Sequence, residues 1–235
     1  MPSTPAIFSA NRLLTMLPCV ERERLLAHSE PVELAFPEVL FRAGDLISHV
    51  YFPIGGLISL ITPAKADSGL EVGLIGNEGM LGSTLILGVN SAPFQALVQG
   101  SGGAIRINSA WFISDLDQNP ALKQALNRYL YVLLRQFTQS IACNRFHLIE
   151  ARLARRLLMA HDRSYSDTFH VTHTSLATML GVRRVGVTKA AYSLQQQNLI
   201  CYRRGDITVL NRTGLEAVAC DCYQIDKEAY DRILV

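Results

Sequence analysis

Between Thr168 and Gly205 the chain has no acidic residue, while Arg183, Arg184, Lys189, Arg203 and Arg204 put five positive charges there. Inside this window Val171–Ile200 reads VTHTSLATMLGVRRVGVTKAAYSLQQQNLI. Thr172 stands just ahead of the apolar-periodic Leu176, Ala177 and Leu180, where its hydroxyl can cap the orphan N–H groups of a first helix. Ala177 is small where two helices must cross, and Gly181 can take the positive φ that ends a helix and redirects the chain. A second helix then opens with Arg183 and Arg184, turning Val182 and Val187 to a core and Arg183, Arg184, Thr188 and Lys189 outward. Ile200–Tyr202 and Ile207–Leu210 read as a hairpin with Arg203-Arg204-Gly205-Asp206 at its tip. Cap, small residue, turn glycine, basic helix start and basic hairpin together predict a winged helix-turn-helix that meets double-stranded DNA.

In such a unit the first turn of the second helix reaches base edges in the major groove. Arginine there can hold guanine O6 and N7 in bidentate fashion, whereas hydroxyls and backbone N–H groups fix phosphates. The candidate contacts are therefore Thr172, Thr174, Ser175, Arg183, Arg184, Thr188 and Lys189, with Arg203 and Arg204 on the wing for flanking phosphates. Net charge matters here only through its distribution: the chain is +2 overall, yet residues 150–235 hold 12 basic against 9 acidic side chains. The rest of the chain is slightly acidic, so the positive excess sits with the helix pair.

Upstream the texture differs. Asn11–Leu17 and Val20–His28 read as short helical turns. From Pro31 to about Asn108, short apolar runs alternate with Gly, Pro, Asp and Asn. Val39–Phe41, Val50–Phe52, Leu57–Ile61, Glu71–Ile75, Gln95–Gln99 and Ala104–Ile107 are expected strands of a small sandwich or barrel-like roll. The 27 residues Gly79–Ile105 carry no formal charge, but Pro93, Asn90, Gln95, Gln99 and six glycines fit buried β-structure rather than a membrane span. At Asn119-Pro120 an N-cap and a first-turn proline open a helix of roughly 25 residues. One of its stripes holds Leu126, Tyr129 and Leu133, the other Leu130, Leu134, Phe137 and Ile141. A dimer seam is assigned to Leu126, Tyr129, Leu133, Phe137, Ser140 and Ile141; a helix packed wholly within its own domain is the alternative. Leu148–His161 follows as an amphipathic helix, with Leu153, Leu157 and Leu158 inward and Arg152, Arg155 and Arg156 outward. A last helix starts near Asn211.

The order of roll, long helix and winged unit resembles the Crp/Fnr family of bacterial transcription regulators. The phrases that carry the resemblance are EARLARRLLMAHDR at 150–163, THTSLATMLGVRRVGVT at 172–188 and the LQQQNLI run into the wing. It implies an α+β chain: a jelly-roll-like β-roll sensor of the cyclic-nucleotide-binding type over 1–118, a long dimerisation helix and hinge over 119–146, and a winged helix-turn-helix over 147–235. It also implies a cytoplasmic homodimer on a two-fold-symmetric operator, with RNA polymerase as a further candidate partner. The family's phosphate-contacting Thr falls on Thr172, its base-reading Arg on Arg184, and its next basic residue on Lys189. The acidic base-reading position is Val185 here, which cannot accept from cytosine N4 but can touch a thymine methyl.

The same resemblance places a cyclic-phosphate cassette near Glu78-Gly79-Met80-Leu81-Gly82-Ser83 and Pro93-Phe94-Gln95-Ala96. Ser83 then occupies the ribose-binding Glu slot and Phe94 the phosphate-binding Arg slot. With no Arg or Lys between Lys65 and Arg106, a buried phosphate would lack its cation, which argues against cyclic nucleotide binding in the usual mode. A small hydrophobic effector, or none, remains, and no cofactor is implied. Five scattered cysteines and an N-terminus without a basic-then-apolar leader fit a reducing compartment. Cys220 and Cys222, two apart on a helix, would point away from each other, so no metal site is expected of them without further ligands. The chain shows no catalytic motif, and an enzyme is not expected. A ligand-binding module that controls a partner protein is the alternative to a DNA-binding regulator.

Overall fold

The computed structural model describes residues 11–63, 69–164 and 166–234; of the roll's expected span, residues 1–10 and 64–68 lie outside them. Two short helices, α1 (Arg12–Thr15) and α2 (Cys19–Ala27), come first, and Asn11 caps α1 by accepting from Leu14 N. Seven strands follow: β1 (Ser29–Leu34), β2 (Val39–Phe41), β3 (His49–Pro53), β4 (Leu57–Pro63), β5 (Gly69–Ile75), β6 (Gln95–Gly100) and β7 (Gly102–Asn108). They form two antiparallel sheets, ordered β1-β7-β3 and β2-β6-β4-β5. A 3-10 turn at Ser83–Leu87 bridges the charge-free stretch. The six expected strands are all present. β1 is the addition: its Glu30, Pro31 and Glu33 hide it from a period-two reading, and it is tolerated because it pairs only with β7 at the sheet edge.

Helix α3 (Ser109–Gln118), capped by Asn108, was not expected from the sequence. It leads into α4 (Pro120–Phe146), where Asn119 Oδ1 accepts from Leu122 N at 2.9 Å as the cap requires. α5 (Ile149–Ser164), β8 (Thr168–His170), α6 (His173–Leu180), α7 (Arg184–Gln196), β9 (Ile200–Arg203), β10 (Asp206–Val209), α8 (Arg212–Val218) and α9 (Cys222–Ile233) complete the chain. β8 adds a third strand to the expected hairpin, in the order β8-β10-β9. The expected single last helix is two, broken at Ala219.

The apolar interior divides into two main clusters. The first fills the roll and is closed by Leu126, Tyr129, Val132 and Leu133 of α4. The second lies among α5, α6, α7 and the wing, and reaches back to Leu57 and Leu74 of the roll. Here the sequence reading of α4 needs correction. Leu126, Tyr129 and Leu133 are 0–4% exposed and Ser140 is also buried, all within their own chain. Tyr129 Oη donates to Met80 O at 3.2 Å, and Gln136 accepts from Leu74 N while donating to Tyr230 Oη. Phe137 packs edge-on against Phe94. Of the six assigned seam residues only Ile141 is open. The stripe that faces outward is Tyr131, Leu134, Thr138 and Ile141, because the roll and α9 have taken the other side.

A second correction concerns α5. Arg152, Arg155 and Arg156 are buried, not outward. Arg155 pairs with Asp226 at 2.6 Å and Arg156 with Glu71 at 2.5 Å, while Arg152 donates to Asn144 and to Leu180 O. Arg163 joins them, bonded to Glu78 at 2.8 Å. α5 is enclosed by the roll, α6, α7 and α9, so its polar face meets carboxylates rather than water. No helix among the described residues is long and apolar enough to cross a membrane.

Candidate nucleic-acid interface

The interface is built from α6, α7 and the wing. Thr172 Oγ1 caps α6 by accepting from Ser175 N at 3.1 Å, and it lies 2.9 Å from Ser175 Oγ. Leu176, Ala177, Met179 and Leu180 bury the inner face of α6. Gly181 then adopts φ 61°, its N–H bonded to Thr178 O, which ends the helix and aims the chain into α7. Val187, Ala190, Ala191 and Leu194 anchor α7 to the core, spaced so that the opposite face is free. That face presents Arg184, Val185, Thr188 and Lys189, with Arg183 immediately before it, all exposed. Thr172 and Thr174 are exposed as well, and Ser175 is half-buried.

In the wing, β9 and β10 pair from Ile200–Val209 to Arg203–Asp206. Arg204 (φ 54°) and Gly205 (φ 93°) form the two-residue tip, the conformation that a twisted hairpin favours. Arg203 and Arg204 are both exposed there. Among the described residues, Arg183, Arg184, Lys189, Arg203 and Arg204 make no ion pair, whereas Arg155, Arg156 and Arg163 of α5 do. Five uncompensated cations on one small unit favour a polyanionic partner.

Two residues at this surface were not singled out from sequence. His173 stacks on Tyr202 with ring centroids 4.2 Å apart, and its Nδ1 lies 3.1 Å from Thr188 Oγ1. It thereby ties the start of α6 to α7 and to the wing. Burial, and secondarily the Arg184 charge, hold its pKa below the ordinary histidine value. Tyr192, 64% exposed, continues the outer face of α7 one turn beyond Lys189. The signal for Tyr192 was its four-residue spacing from Thr188; His173 had none beyond adjacency to the capping threonine.

The residues at the expected cassette positions also come together. Ser83 and Phe94 line one cavity of about 500 Å3 between the roll and α4, with Leu60, Ile75, Leu133 and Phe137 on its walls and no charged side chain anywhere in the lining. Glu78 is absent from it, being turned instead to Arg163 and to Gly76 N.

Elsewhere, the break at Ala219 brings Cys220 and Cys222 against Cys143 and His147 of α4, the four donor atoms lying within 4.8 Å of one another. The expectation that the two late cysteines point apart on one helix is thus overturned: Cys220 precedes α9 and Cys222 opens it. The contact with Cys220 lowers the pKa of the Cys143 thiol, and the same contact, with burial, pushes Cys220 up.

A helix pair followed by a β-wing, with an unpaired basic face, has the architecture of a winged helix-turn-helix unit. Residues 151–218 match the family model of the Crp-like helix-turn-helix domain. No curated protein sequence matches the chain. Among solved structures, the c-di-GMP-responsive global regulator CLP of Xanthomonas campestris is similar, with 20% identity, a TM-score of 0.65 and coverage of 82% of this chain and 99% of its own. FixK2 of Bradyrhizobium japonicum shares 12% identity at a TM-score of 0.67, over 82% and 98% of the two chains. A CRP-family transcriptional regulator of Thermus thermophilus shares 17% identity at a TM-score of 0.66, over 80% and 96%. The chain carries a Crp-like DNA-binding unit and has the fold of the Crp/Fnr regulators.

Proposed function

We propose that this chain is a sequence-specific transcription regulator acting as a homodimer on a two-fold-symmetric operator. The observation that carries the reading is the unpaired, exposed basic face of α7 and the wing. Arg184 reads a guanine, Val185 meets an apolar base edge, and Lys189 and Thr188 complete the major-groove face. Thr172, Thr174, Ser175, Arg203 and Arg204 position the unit on phosphates, and Arg183 serves either edge of the groove. Residues 1–118 form the sensor, 119–146 the dimerisation helix and hinge, and 147–235 the DNA-binding domain. Support for the dimer comes from the outward stripe of α4. Tyr131, Leu134 and Ile141 are 50%, 60% and 68% exposed, and with Thr138 they follow the three-four spacing of a two-stranded coiled coil.

The effector is not a cyclic nucleotide bound in the usual mode. The roll cavity has no cation to compensate a phosphate, and it suits a small apolar molecule. The test is selection of random DNA by the purified protein at near-physiological salt, with sequencing of the bound fraction. An inverted repeat with half-sites about one helical turn apart is expected. Enrichment of an unpaired half-site would remove the dimer from the proposal, and sequence-indifferent binding in the presence and absence of apolar ligands would remove the specificity.

A further inference from the structure

We infer that Cys143, His147, Cys220 and Cys222 form a tetrahedral site for a thiophilic divalent cation of the Zn2+ class, which pins the C-terminal end of α4 to the start of α9. Three separate pieces of chain supply the donors. Cys143 and His147 lie one helical turn apart at the end of α4, with His147 as its C-cap and its N–H bonded to Cys143 O. Cys220 lies in the break after α8, and Cys222 is the first residue of α9.

Two of the separations are those that a metal imposes, and all four donors lie within 4.8 Å of one another. Zinc binds sulfur at about 2.3 Å and imidazole nitrogen at about 2.0–2.1 Å, so neighbouring donors of a tetrahedron sit about 3.5–3.8 Å apart. Here Cys143 Sγ is 3.5 Å from Cys220 Sγ, and Cys222 Sγ is 3.4 Å from His147 Nδ1. A disulfide needs about 2.05 Å between sulfurs, and packing alone does not explain why three of five cysteines and a histidine converge from positions 143 to 222.

The surroundings match as well. Gln139 Nε2 donates to Cys222 Sγ at 3.0 Å, the kind of outer hydrogen bond that orients a thiolate ligand. Three thiolates and a divalent ion leave one net negative charge, and Arg152 and Arg155 line the adjoining cavity with Cys143. Sulfur-rich S3N donor sets select zinc over magnesium, calcium or manganese. Four protein donors complete the tetrahedron, so the site would be closed, as structural zinc sites are. Its position has a consequence: α5, which carries the DNA-reading unit, begins two residues after His147. A cation here sets the joint between the long helix and that unit.

The full-length protein, stripped of metal and kept reduced under anaerobic conditions, is titrated with Co2+ and then with Zn2+. One Co2+ per chain is expected, with the visible absorption of tetrahedral thiolate coordination, bleached by stoichiometric Zn2+. Cys143→Ser and His147→Gln should each weaken Co2+ binding at least tenfold, while Cys201→Ser leaves it unchanged. His147 is the partly exposed ligand, so its substitution tests the site even if the buried cysteine variant folds poorly, as circular dichroism will report. The inference is overturned if Co2+ gives only an octahedral spectrum, if His147→Gln and Cys143→Ser bind it as the unmodified protein does, or if Cys201→Ser is the variant that loses it.

Discussion

At the scale of single residues, the interface depends on side chains whose charge has no internal partner. Arg184 sits at the exposed start of α7, free of ion pairs among the described residues and clear of the core formed by Val187 and Ala190. Arg184→Ala should therefore leave the thermal transition in place, weaken operator binding by about 1–3 kcal/mol and relax one base position. Fluorescence anisotropy on a panel of single-base operator variants measures both effects; unchanged affinity and unchanged preference would remove Arg184 from the base-reading role. Gly79 is constrained differently. A Cβ at that position would come within 2.2 Å of Tyr129 Oη, a fully buried side chain held by Met80 O. Gly79→Ala should lower stability by about 1–3 kcal/mol, as overpacking of a tight interior does, and urea denaturation followed by circular dichroism will register it.

At the scale of elements, α4 serves two neighbours with two faces. Its inner face closes the roll and its outer stripe meets water in the single chain. Leu134→Glu places a charge in the middle of the outer stripe, where Leu134 also lines the rim of the roll cavity. If the proposed dimer forms through this stripe, sedimentation velocity should show dimer for the unmodified protein and monomer for the variant, and affinity for the full inverted repeat should fall about a hundredfold, through loss of bivalency. Affinity for an isolated half-site should not change. For the wing, Arg203→Ala or Arg204→Ala should weaken binding evenly across sequences and reduce the slope of log affinity against log salt by about one. A change in base preference instead would mean that the wing reads bases.

On the scale of the whole molecule, buried ion pairs join pieces far apart in sequence. Glu78 and Arg163, separated by 85 residues, are both nearly inaccessible and lie 2.8 Å apart. Glu78→Gln would leave the guanidinium buried without its counter-charge and should cost about 3–5 kcal/mol, visible as a lowered denaturation midpoint. These pairs carry the difference between what could be read along the chain and what could not. Local chemistry determined the caps at Asn119 and Thr172, the turn at Gly181, six of the seven roll strands, the acid-free basic window and the charge-free cavity wall, because each depends on neighbours a few residues away. Tertiary structure decided which stripe of α4 stays open, why the α5 arginines face inward, and how Cys143 and His147 meet Cys220 and Cys222. Periodicity gives a helix its faces, but only the competing surfaces of the roll and α9 decide which face is covered and which donors, some 77 positions apart, end within reach of one ion.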